Sequence, residues 1–248
     1  MSKKPKVFIG VGHGGKDAGA IGNGFEEEDL NLAIALACNE ELKRHGVDVL
    51  LSRYVDEDDG TNEEVAECNA FAPDLAVDIH NNAGGGDGVE IFHHYGGGKG
   101  KTLAQNILNE IVAIGQNSRG LKTRLNSNGK DYYGFIRSTK APAIIVECAF
   151  IDNATDIKII DTDAEQKKMG VAIAKGILKT LGITYKKEES KVAKTKFKDE
   201  SKMSSWAIAS IKKVSDAGIM VGDTNGNFKP KDYITREEFA VAVARLLK

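Results

Sequence analysis

Three short apolar runs constrain this chain more than any other feature. Residues 7–11 (Val-Phe-Ile-Gly-Val), 75–79 (Leu-Ala-Val-Asp-Ile) and 143–146 (Ala-Ile-Ile-Val) are rich in β-branched side chains. Runs of this length and composition read as buried strands. Each leads directly into a chemically useful residue: His13 behind Gly12, His80, and Glu147. Helical patterns lie between them. Residues 30–45 repeat Leu30, Ala33, Ile34, Ala37 and Leu42 at a helix period, and residues 101–115 align Leu103, Ile107, Ile111 and Ile114. Residues 163–181 do the same with Met169, Ile173, Ile177 and Leu181. The alternation implies an α/β fold, with a central mostly parallel or mixed sheet flanked by helices.

In open α/β sheets, functional residues gather at the carboxyl ends of strands. His13, His80 and Glu147 therefore converge on one cleft. Glu27 joins them, because a glycine-rich loop after His13 leads into the acidic cluster Glu26-Glu27-Glu28-Asp29 at a helix start. Two histidines and one carboxylate suit a zinc ion, and a second carboxylate suits a base. Each residue alone has a plainer reading. A strand-end His is more often a hydrogen-bonding residue, and acidic residues at a helix start are favoured by its dipole. Glu147 is harder to explain away, since a carboxylate among Ile145, Val146 and Ala149 is costly without a partner.

Four blocks occur in order: Gly12-His13-Gly14-Gly15-x-Asp17-x-Gly19-Ala20, Glu27-x-Asp29-x-Asn31-Leu32, Asp78-Ile79-His80-Asn81-Asn82-Ala83 and Val146-Glu147-Cys148-Ala149-Phe150-Ile151. Together they resemble the zinc-dependent N-acetylmuramoyl-L-alanine amidases with three metal ligands, over roughly residues 6–182. The resemblance implies His13, Glu27 and His80 as zinc ligands and Glu147 as the catalytic carboxylate. It also implies peptidoglycan as substrate, hydrolysed between N-acetylmuramic acid and L-alanine. Arg137 and Asn81 are substrate-binding candidates beside these blocks. The catalytic domain is expected over residues 1–182.

Residues 183–196 are rich in lysine and glutamate and read as a linker. The tail, 197–248, resembles an S-layer homology module and carries Ile234-Thr235-Arg236-Glu237-Glu238. The resemblance implies a small all-α module that binds secondary cell-wall polysaccharide, with Trp206 and Arg236 as wall-binding candidates. A sugar ring stacks well on an indole, and a guanidinium grips a carboxylate in two places. Such modules usually act in threes and this chain holds one, so self-association of the tail as a trimer is expected.

Other classes are excluded or weakened by the residues. Lys and Arg number 34 against 36 Asp and Glu, for a net charge of −2, so nothing points to nucleic acid. No run is long enough to cross a membrane. The basic first residues precede an apolar run too soon broken by glycine to serve as a signal sequence. The expectation is cytoplasmic synthesis and endolysin-like release to the wall. Cys38, Cys68 and Cys148 have no pair spacing and read as small buried apolar residues. Gly10-x-Gly12-x-x-Gly15 is a formal dinucleotide fingerprint, but Gly19, Gly22 and Gly24 follow where that motif needs a helix. Asp56-Glu57-Asp58-Asp59-Gly60 and Asp223-x-Asn225-x-Asn227 lack calcium-loop spacing and read as a solvated loop and a turn. Residues 119–134, polar and holding Tyr132 and Tyr133, read as a loop over the cleft. A non-catalytic wall-binding protein and a zinc peptidase on soluble peptides are the competing functions. The intact ligand set weakens the first, and the wall-type tail weakens the second.

Overall fold

The computed structural model describes residues 4–58, 60–187 and 195–247, with only the backbone of Ser205 and Trp206. The chain divides into two units, Met1–Lys186 and Lys187–Lys248. The first begins with β1 (Lys6–Val11), a small hairpin of β2 (Ile21–Gly22) and β3 (Phe25–Glu26), α1 (Glu27–Arg44) and β4 (Asp48–Leu51). It continues through α2 (Thr61–Phe71), β5 (Leu75–Asn82), β6 (Val89–His93), α3 (Gly98–Ala113) and β7 (Ser118–Lys122). It closes with α4 (Gly134–Ser138), β8 (Ala143–Phe150) and α5 (Asp163–Thr180).

Among the described residues, six strands form one mixed sheet in the order β4-β1-β5-β8-β6-β7. The pairs β4–β1, β1–β5 and β5–β8 are parallel, β8–β6 is antiparallel, and β6–β7 is parallel again. The carboxyl ends of β1, β5 and β8 thus lie along one edge. That edge carries His13, His80 and Glu147.

Strand alternation sorts the core into two. Val7, Ile9, Val11, Val77, Ile79, Ile144 and Val146 face α1, α3 and α5 in the larger cluster. Phe8, Ala76 and Ile145 face the other way, against Phe135, Ile136 and Cys68. His80 and Glu147 follow the second set by parity. The sheet face that carries the smaller core therefore becomes the polar site at its carboxyl edge. Gly170 lets α5 come close to α1, since a Cβ there would meet the Ile34 carbonyl oxygen at 2.5 Å.

Three features differ from the sequence reading. The polar stretch 119–134 contains most of β7, an edge strand whose Arg119 and Lys122 give no apolar signal. The glycine-rich loop contains the β2–β3 hairpin, which places α1 so that Glu27 sits in its first turn. Residues 183–186, expected in a linker, belong to the first unit: Ile183 and Tyr185 lie against its core, and the Lys186 N–H donates to His45 Nε2 at 2.9 Å. The His45 side chain is buried, bonds the Glu41 carbonyl near the end of α1 through Nδ1 at 2.8 Å, and stacks on Tyr185 with ring centroids 5.1 Å apart.

In the second unit, α6 (Ser205–Asp216) and α7 (Arg236–Leu246) flank a turn region. Phe197, Met203 and Ile211 form its small core, with Ile208 and Phe228 against them. Asp223 accepts the backbone N–H groups of Asn225 and Asn227, which makes 223–227 a turn. The Thr235 hydroxyl accepts from Glu238 N–H and the Glu238 carboxylate accepts from Thr235 N–H. The Thr-Arg-Glu-Glu signature is thus a capping box that starts α7.

Candidate metal centre and active site

One donor atom each from His13, Glu27 and His80 lies within 4.8 Å of the others. His13 Nε2 is 3.3 Å, and His80 Nδ1 3.1 Å, from Glu27 Oε1. The two rings meet edge to face with centroids 5.0 Å apart. Each ring is held from outside by a second carboxylate: Asp17 lies 2.9 Å from His13 Nδ1 and Asp78 lies 3.2 Å from His80 Nε2. Such outer partners select which nitrogen faces inward. Glu27 is fixed as firmly, because its carboxylate accepts the Ala20 and Asn81 backbone N–H groups at 3.0 Å each.

Electrostatics follow from this crowding. Burial works against the charged form of Glu27, but the hydrogen bonds of His13 and His80 outweigh it and hold the carboxyl well below its ordinary range. The hydrogen bond to Glu27 lifts His13 above its usual value. Burial disfavours charge on His80, and the adjacent Asp78 carboxylate more than compensates, so His80 titrates well above normal. The carboxylates around the two rings therefore favour positive charge at this point. Two imidazoles and one carboxylate suit zinc, and the glycines shape the space around them. A Cβ at Gly12 would overlap the His80 ring, and one at Gly19 would lie 2.7 Å from His13 and 2.8 Å from Glu27. The residues fit a metal of this kind.

Glu147 is the register partner of His80 on the neighbouring strand, and of Glu90 on the other side. Burial raises its pKa to about 7, as the apolar neighbours in the sequence suggest. Glu90 does not stand as a free charge beside it, since Arg119 bonds it at 2.9 Å and Asn82 donates to it at 2.9 Å. A cavity of about 400 Å³ adjoins the centre, lined in part by His13, Asp17, Thr61, Glu64, Asp78 and His80.

The two substrate-binding candidates have these surroundings. Asn81 is buried on the opposite side of its strand from His80, and its side chain donates to Asn31 at 2.8 Å. Its bond to Glu27 comes from its backbone. Arg137 Nη1 donates to the Asp131 and Tyr132 carbonyls at 2.8 and 2.7 Å, so it orders the loop before α4. In the tail, Arg236 is exposed at the start of α7, and the Trp206 side chain lies outside the described residues. His93 and His94 are structural: His93 Nδ1 bonds the His94 carbonyl and His94 pairs with Asp131. All three cysteines are buried and unbonded to one another.

The sequence reading missed the supporting residues. Asp78 lies two positions before His80 and so on the same side of β5, a signal available from strand parity. The turn 56–58 is not a merely solvated loop: Asp56 and Asp58 accept the backbone N–H groups of Gly15 and Lys16 and dock the loop after His13. Arg53 was silent in the sequence, although it is almost completely buried.

Fold and site together define a class: a hydrolase on an open α/β sheet, with donors for one metal ion beside a carboxylate of raised pKa. Residues 7–179 match the N-acetylmuramoyl-L-alanine amidase family, and residues 196–240 match the S-layer homology domain. The N-acetylmuramoyl-L-alanine amidase CwlM of Bacillus licheniformis is 32% identical over 183 residues, spanning 72% of this chain and 70% of that protein. The endolysin of Bacillus phage SPP1 is 31% identical over 73% of this chain and 67% of its own length. Among solved structures, Cwp6 from Clostridium difficile is 40% identical with a TM-score of 0.71, over 72% of this chain and 30% of that one. The chain belongs to the N-acetylmuramoyl-L-alanine amidase family and is a peptidoglycan amidase.

Proposed function

We propose that the first unit hydrolyses the amide between N-acetylmuramic acid and L-alanine with a zinc ion held by His13, Glu27 and His80. The single observation that carries this reading is the convergence of those three donors beside Glu147. Zinc bound there would polarise the scissile carbonyl and lower the pKa of a water to about 7. Glu147 does the proton work. With a pKa near neutrality it can accept a proton from the attacking water and deliver it to the alanine nitrogen as the carbon–nitrogen bond breaks. The products are a lactyl carboxylate on the sugar and a free amino group on the peptide. Asp17 and Asp78 keep the imidazoles turned inward, and Asn81 N–H and Ala20 N–H hold Glu27.

The tail holds the enzyme on the wall by binding secondary wall polysaccharide, with exposed Arg236 as one contact. We also propose that it self-associates, most simply as a trimer. Support comes from α7, where Phe239, Val243 and Leu246 are exposed at helix-face spacing. The SPP1 endolysin supports wall lysis as the outcome.

The test is the bond opened in purified peptidoglycan. New L-alanine amino groups without new reducing ends are expected. New amino groups on other residues would redirect the reading to a peptidase, and no release at all to a binding protein. Sedimentation of the full chain at micromolar concentration checks the trimer, and a monomer there removes it.

A further inference from the structure

The centre depends on a strained residue. His13 has φ of +63°, a left-handed conformation that a side chain with a Cβ rarely adopts. Such strain persists where the surroundings over-determine it. Local pairing explains one side: Gly14 and Asp17 exchange backbone hydrogen bonds at 2.8 and 3.1 Å after His13. What fixes the chain before it is less local.

Arg53 lies in the loop after β4 and is the largest fully buried side chain among the described residues. Burying a guanidinium is costly unless its donors are satisfied. Its donors go to main-chain oxygens. Nε donates to the Val11 carbonyl at 3.2 Å, and Nη2 to the Gly12 carbonyl at 3.4 Å and the Glu28 carbonyl at 2.8 Å. Nη1 donates to the Val55 carbonyl at 3.2 Å. The first two carbonyls immediately precede His13, and the third belongs to the residue after Glu27. Arg53 also approaches the loop closely: a Cβ at Gly14 would meet its Nε at 2.9 Å. Its charge lies beside the Glu28 and Asp56 carboxylates. Asp56 in turn accepts from Gly15 N–H.

We propose that Arg53 is a positioning residue of the metal centre: one planar guanidinium ties the end of β1 to the first turn of α1, and so sets the distance and angle between His13 and Glu27. The fork geometry matters. Lysine carries the same charge but directs donors from a single nitrogen, and cannot bridge carbonyls on two elements in the same way. Asn31 reinforces the tie by donating to the same Gly12 carbonyl at 2.9 Å.

The proposal rests on the zinc reading of His13, Glu27 and His80, and the experiment separates the two. Zinc affinity of the full chain is measured by chelator competition for the wild type, Arg53→Lys and Arg53→Gln. Visible absorption of the cobalt-substituted proteins and circular dichroism of the metal-free proteins are recorded alongside. Both variants are expected to keep the far-ultraviolet spectrum, to bind zinc about 10–100-fold more weakly, as typical for loss of an outer-shell partner, and to shift the cobalt bands. Folded variants with wild-type zinc affinity and unchanged cobalt bands would overturn the positioning role. Variants that fail to fold with and without zinc would also overturn it, by making Arg53 a general core residue. A wild type that binds no zinc would instead refute the metal reading itself.

Discussion

His80 on β5 and Glu147 on β8 are register partners on adjacent parallel strands, so their side chains leave the same face of the sheet side by side. This places a metal-donor candidate and a proton carrier of raised pKa next to one another on rigid elements. Neither depends on a mobile loop for its position. The two roles separate in mutants.

Glu147→Gln removes the proton carrier without touching the three donors. Zinc content should stay at the wild-type level while the rate falls about 10²–10⁴-fold. Metal analysis together with wall-clearing rates checks this. Wild-type clearing by the variant would end the acid–base assignment.

The same residue sets a pH dependence of stability in the metal-free protein. Burial raises its carboxyl to about 7 from an ordinary 4.5. The folded chain therefore holds that proton more tightly than the unfolded chain. Its contribution is whole below about pH 4.5 and is lost as pH rises through 7. Glu147→Gln carries no such loss, and should be more stable than wild type at pH 8 by roughly 1–3 kcal/mol. Urea unfolding of chelator-treated proteins at pH 5 and pH 8 reads the difference, which should be several-fold smaller at the lower pH.

Asp78→Asn keeps the shape at the outer nitrogen of His80 but loses the charge. Zinc affinity should drop about 10–100-fold. Asp17→Asn should do less, because Asp17 is largely exposed and its pairing is screened. Parallel chelator titrations rank the two, and an equal or reversed order would show that burial does not govern their contribution.

Gly12→Ala tests the space reserved for His80. A methyl group there would overlap the imidazole ring, so the ring must turn away from Glu27. Loss of zinc with a preserved circular dichroism spectrum is expected. Retained zinc and rate would mean that β1 moves instead.

The boundary of the first unit can be tested by truncation. A chain ending at residue 186 keeps Ile183 and Tyr185 against the core and the His45–Lys186 bond. One ending at residue 182 loses them and should be less stable by about 1–3 kcal/mol. The longer fragment should cut soluble wall fragments but pellet poorly with intact walls. Pelleting equal to that of the full chain would remove the anchoring role of the tail.

The sequence by itself determined the class of fold and pointed to four candidate residues for its centre. Apolar runs and helical periods are local signals, and strand ends are where an open α/β sheet collects its chemistry, so His13, His80 and Glu147 could be placed without coordinates. The capping box of α7 was legible too, although as a motif rather than as a helix start. Tertiary structure decided what supports the centre. Arg53 lies 40 residues from His13 along the chain and carries no periodic signal, and only folding brings its guanidinium to the Val11, Gly12 and Glu28 carbonyls. Asn81 shows the same limit in reverse. Its neighbour His80 faces the centre, and the two-residue period of the strand turns Asn81 to α1. The edge strand β7 was hidden because partial burial leaves its composition polar, and residues 183–186 because they run straight into a lysine- and glutamate-rich stretch. Local pattern fixes which elements form, while long-range hydrogen bonding fixes the ångström-scale placement that a metal centre needs.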